Sequence, residues 1–147
     1  MTKLYNSVFE MQLRILLLLS QTRRLLSKDE IVDFDFITIY SADFSIGAEN
    51  LHEYSEYRYG EFASRHELVG DALKDLVVDG LIAVVPQGGF FYKITSAGLK
   101  YVNSLESTYS VQYREIARQA FRKYENKSEA EIEKDIRRNR AVLGRRH

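Results

Sequence analysis

The chain has no cysteine, no tryptophan and a single proline among its 147 residues. Without cysteine there can be no disulfide, no thiol catalysis and no cysteine metal site. Histidine is scarce too: His52, His66 and His147 are the whole supply, and none has the close helical spacing of a zinc motif. Net charge is missing as well, because 21 Lys and Arg balance 21 Asp and Glu. The whole chain is therefore drawn to neither nucleic acid nor membrane, and only local charge carries information. The apolar run Ile15–Leu19 falls far short of the roughly 20 residues a membrane span requires. Glu10, Gln12 and Arg14 precede it and no small-residue cleavage site follows, so it reads as a buried helix, not a signal core. The expectation is a cytoplasmic protein with no membrane partner.

What is present is enough for one ordinary core, since 45% of the residues are apolar. Asn6 or Ser7 can cap a first helix from Val8 to about Gln21, apolar on most sides with Arg14 as its polar interruption. Ser27 followed by Glu30 is a capping box, although the next segment, IVDFDFITIYSADF, alternates in part like a strand. Length and cap favour helix. The stretch from Asp43 to Ser64 lacks periodicity and is rich in acids and tyrosines, which makes it a long loop, centred on 45–63. Ser64 and Glu67 form a second capping box, and Leu68, Val69, Ala72, Leu73, Leu76 and Val77 mark one helical face ending at Gly80. Ala83–Val85 and Phe90–Ile94 read as two strands around the turn Pro86-Gln87-Gly88-Gly89. Thr95 caps another helix through Leu105. Two more helical segments follow, about Tyr109–Tyr124 and one capped by Ser128 and Glu131, before a basic tail expected to fray. Three helices, a hairpin and a helix give the predicted fold: mainly α with a small β-hairpin. The expected arrangement is a winged-helix domain over 1–107 and a C-terminal helical extension over 108–147.

A winged helix that reads DNA needs cations and amides on the helix before its hairpin. Here that helix carries Arg65 and Lys74 against Glu67, Asp71, Asp75 and Asp79, and the wing offers only Lys93. Such a surface repels phosphate. Positive charge lies instead on Arg114, Arg118 and Arg122, spaced four apart on one stripe. The stripe is either a solvated face or a contact for phosphate or an acidic partner. No nucleophile elbow, phosphate loop or paired-histidine motif is present. Asp33 and Asp35, two apart on a helix, point in different directions and suggest a solvated acidic face. No catalytic residue, metal site or cofactor is expected.

The chain resembles the middle component of bacterial ABC-three-component systems, the group that includes the LmuC subunit of Lamassu anti-phage defence. The resemblance rests on Asn6-Ser7-Val8-Phe9-Glu10 with Leu13-Arg14-Ile15-Leu16, the helix around Asp33 to Asp43, and Leu51-His52. It continues through Arg58-Tyr59-Gly60-Glu61 with Arg65, then Tyr92, Thr95 and Gly98, the Leu105-Glu106-Ser107 step, Tyr109, and Phe121-Arg122-Lys123-Tyr124. The chain departs from the pattern in lacking prolines near Leu51-His52 and a tryptophan in the penultimate helix. The resemblance implies a non-catalytic adaptor that links an SMC-like coiled-coil ATPase to an effector such as a nuclease, touching DNA through the complex and not by sequence readout. The alternative is a winged-helix transcription regulator acting as a homodimer. Tyrosine and arginine are enriched at interface hot spots, so Tyr54, Tyr57, Arg58 and Tyr59 are candidate interface residues, with Glu61 and Arg65. Phe90 and Phe91 join them, because one of two neighbours in a strand must face outward. For all of these the competing roles are core packing, capping or an internal salt bridge.

Overall fold

The computed structural model describes residues 7–52 and 62–145. It is mainly helical: α1 (Val8–Leu19), β1 (Leu26–Ser27), α2 (Lys28–Ile39), a 3-10 turn (Ser41–Phe44), α3 (Phe62–Val78), β2 (Ile82–Pro86), β3 (Phe90–Ile94), α4 (Ser96–Asn103), α5 (Thr108–Lys123) and α6 (Glu129–Arg145). The strands form one antiparallel sheet in the order β1-β3-β2. Val84 pairs with Tyr92 on one side of β3, and Leu26 pairs with Tyr92 on the other.

The helix starts follow their caps. Ser7 accepts from Glu10 N–H at 3.0 Å and opens α1. Ser27 accepts from Glu30 N–H at 3.1 Å while the Glu30 carboxylate accepts from Ser27 N–H at 3.1 Å, a complete capping box for α2. Ser128 and Glu131 repeat the exchange at α6. Ser64 does not stand at the helix start, where a capping box is expected. α3 already begins at Phe62, so Ser64 lies in its first turn. Two further features differ from the sequence expectation, one of them a strand it did not include. β1 is only two residues long and carries no periodic signal, and the segment from Ile136 to Arg145 continues α6 instead of fraying.

α2 is the centre of the molecule. Every residue from Glu30 to Ile39 is buried. α1, α3, α5 and α6 all pack against it, and β1 and β3 meet it as well. Each fully buried side chain such as Ile31, Phe34 or Phe36 contributes about 1.5–3 kcal/mol over exposure. The acidic face expected of Asp33 and Asp35 is therefore not solvated: both residues are inside. α5 belongs to the same core, through Tyr113, Ala117, Ala120 and Phe121. The expected boundary at 107/108 falls at the start of that helix, where Ser107 is its N-cap.

The motif around the hairpin has a mechanical meaning. Thr95 Oγ1 accepts from Gly98 N–H at 3.1 Å and its hydroxyl donates to the Gly80 carbonyl at 2.7 Å, tying the start of α4 to the end of α3. Gly98 sits where a Cβ would collide with the Leu81 carbonyl oxygen and come within 2.6 Å of Ile94 Cγ1.

Candidate functional site

Arg14 interrupts the apolar run of α1, and Asp35 sits between Phe34 and Phe36 on α2. A charge in such surroundings needs a partner. The fold brings the two together. Arg14 Nε donates to Asp35 Oδ1 at 3.0 Å and Nη2 to Oδ2 at 2.9 Å, a two-pronged pair in which Arg14 is 0% and Asp35 1% exposed. Tyr113 of α5 donates its hydroxyl to Asp35 Oδ1 at 2.7 Å. Arg65 of α3 reaches Asp35 Oδ2 at 3.5 Å, with its guanidinium 5.5 Å from the Phe36 ring centre and 5.9 Å from that of Tyr40. One carboxylate thus holds side chains from α1, α3 and α5 onto α2.

A second shell of aromatics extends this centre to the loop after α2. His52 Nε2 and Tyr109 Oη are 2.8 Å apart, and the His52 main-chain N–H donates to Ile39 O at 3.2 Å. The Tyr109 and Tyr113 rings lie 6.1 Å apart. Asn50 Oδ1 accepts from Ala42 N–H at 2.8 Å, which closes the 41–52 loop on itself.

The electrostatics are those of a fastener. Burial opposes ionisation of Asp35, but the charges of Arg14 and Arg65 and the hydrogen bonds from Arg14 and Tyr113 outweigh it and hold the carboxyl below its usual range. Burial would likewise depress Arg14, and Asp35 more than offsets that. Burial and the Arg14 charge push His52 down to about 3, so its imidazole is neutral. Tyr109 and Tyr113 are raised, chiefly by burial. A carboxylate so fully engaged has no free valence for proton transfer; its chemistry here is to fix geometry.

The interface candidates divide. Tyr54, Tyr57, Arg58, Tyr59 and Glu61 lie outside the described residues. Arg65, at 5% exposure, is paired with Asp35, the internal salt bridge that competes with its interface role. Phe90 is 68% exposed and Phe91 is half-buried. Phe90 lines an open groove of about 480 Å³ with Val77, Val78, Val84 and Tyr92. With Arg65 turned inward, the exposed charges of α3 are Glu67, Asp71 and Asp75 against Lys74, with Asp79 just beyond. The arginine stripe is not three equal cations. Arg114 donates to Ser110 O at 3.3 Å and Leu105 O at 3.1 Å, Arg118 pairs with Glu115, and Arg122 is exposed.

One arrangement went unseen at the sequence level. Asp33 of α2 meets Glu129 and Glu133 of α6, with one carboxylate oxygen of each within 4.8 Å of the others. Burial, then Glu133, Glu129, Asp29 and Glu30, push Asp33 up to about 8. The available signal was the like-charge pair four apart at the start of α6.

Fold and site together define a small helical scaffold locked by an ionic core. The family model of the ABC-three component (ABC-3C) system Middle Component 2 matches residues 4–146, and the chain belongs to that family. No curated protein and no solved structure matches it.

Proposed function

We infer that this middle component is a non-catalytic adaptor with a winged-helix body, joining an SMC-like coiled-coil ATPase to an effector such as a nuclease in a Lamassu-type defence complex. The observation that carries the reading is the outward face of α3. In a DNA-reading winged helix this surface is cationic; here Arg65 is withdrawn into the core and Glu67, Asp71 and Asp75 remain outside. Beside it the hairpin presents an apolar groove with Phe90 at its rim. A surface of that kind suits a protein partner better than a phosphate backbone. The order helix, short strand, two helices and hairpin, with the short strand paired to the second hairpin strand, supports the winged-helix description. DNA then meets the complex chiefly through the ATPase.

The test is affinity capture of the tagged chain from its native host, read by mass spectrometry, alongside duplex binding by the purified chain. Recovery of a coiled-coil ATPase is expected. Recovery of the chain alone, with tight sequence-specific duplex binding, would replace this reading with the homodimeric regulator.

A further inference from the structure

The contact between α6 and α2 leaves a polar group without a partner. Asp33 is 2% exposed, and its Oδ2 is buried with no hydrogen-bond partner among the described residues. Facing it, α6 places Glu129 in its first turn and Glu133 one turn further, so both carboxylates share one helix face. One oxygen from each of the three lies within 4.8 Å of the other two. The charges acting on Asp33 come from Glu133, Glu129, Asp29 and Glu30, all negative. Three cations of the flanking segments are paired with other carboxylates: Arg24 with Glu30, Lys127 with Glu131 and Arg138 with Asp135. Three carboxylates this close repel one another, and burial removes the solvent that would screen them.

We propose that Asp33, Glu129 and Glu133 bind one hard divalent cation, of the Mg²⁺, Mn²⁺ or Ca²⁺ class, which clasps α6 onto α2. The donor set is oxygen only, which selects hard ions over zinc or copper. Oxygens on opposite sides of an ion, each at about 2.4 Å, are about 4.8 Å apart, so the three fit around a single centre. Glu129 and Glu133 are half-exposed, leaving the outer side open to the water ligands that such ions keep. The orphaned Asp33 oxygen becomes the inner ligand. Glu129 and Glu133 bring α6 with them, so the ion strengthens a docking that Ile132 and Ile136 already make in the core. The proposal goes beyond the adaptor reading and does not depend on it.

Mn²⁺ titrated into the full chain, with free ion followed by its paramagnetic resonance signal, tests this directly. The expected result is one ion per chain, displaced by Mg²⁺ or Ca²⁺, and a thermal midpoint that rises with the ion and falls back with EDTA. Asp33→Asn and Glu133→Gln are expected to weaken binding by at least about tenfold, the scale of even outer-shell changes at metal sites. Asp33 is buried and its variant can misfold, so the half-exposed Glu133→Gln, with helix content checked by circular dichroism, gives the deciding comparison. Absence of binding at millimolar Mn²⁺ overturns the site. So does binding that Glu133→Gln leaves unchanged. Variants that gain stability while the native chain ignores all three ions would assign the cluster to shared protons and also overturn it.

Discussion

Asp35 gathers two guanidiniums and a phenol, and its value is clearest when one partner is removed. Replacing Arg14 with Met keeps most of the volume but leaves a fully buried carboxylate with Arg65 at 3.5 Å as its remaining counter-charge. Breaking a buried pair in this way costs about 3–5 kcal/mol, and urea denaturation of Arg14→Met should show a loss of that size. A double change that also neutralises Asp35 should recover part of it. His52 supplies a pH test. Its folded imidazole is held down to about 3, by burial first and then by Arg14, while the unfolded chain titrates near 6.5. Below 6.5 the unfolded state takes a proton that the folded state refuses, so this contribution is whole above 6.5 and is lost as pH falls towards 3. Between pH 7.5 and 5.0 the loss is at most about 2 kcal/mol. His52→Gln should flatten that part of the stability profile, and equal slopes for the two proteins would refute the assignment. Arg14 and His52 both lie in the segments that carry the family resemblance, and each is placed by what it holds.

At the scale of elements, the caps and the hairpin are readable because their chemistry is local. Ser27 with Glu30, Ser128 with Glu131 and Thr95 with Gly98 each span four consecutive residues and need nothing distant. Ser128→Ala should cost about 1 kcal/mol, read as earlier loss of α6 helicity on heating. Gly98→Ala should be worse than helix propensity suggests, despite alanine being the better helix former. The new methyl meets the Leu81 carbonyl and Ile94, and overpacking of this kind costs about 1–3 kcal/mol. A melting temperature unchanged in that variant would show that α4 can slide away from the hairpin. What the sequence concealed has a common cause. β1 exists only because β3 offers it an edge at Phe91 and Tyr92. α2 resembled a strand in places because it has no solvent face, so no stripe marks its 3.6-residue period. Asp33 and Asp35 read as solvent-facing in the sequence for the same reason: their partners, on α1, α3, α5 and α6, lie from 21 to 100 residues away.

For the whole molecule, the question is which surface remains once the core is accounted for. Phe90 at 68% exposure and Val78 at 84% flank the groove beside the acidic side of α3. Phe90→Glu should leave folding stability within about 0.5 kcal/mol, as expected of a surface change, while reducing capture of the ATPase partner. A fall in stability without a fall in capture would place that ring in the core's service instead. No helix among the described residues is long and apolar enough to cross a membrane. The enclosure of α2 has a further consequence for inheritance. An ordinary amphipathic helix tolerates replacement at every third or fourth position, where its side chains face water. α2 offers no such positions from Glu30 to Ile39. A saturation scan should therefore find an unbroken block of intolerance there, without the helical rhythm of permissive sites. Within this family, drift in that helix would then require paired changes in the helices around it.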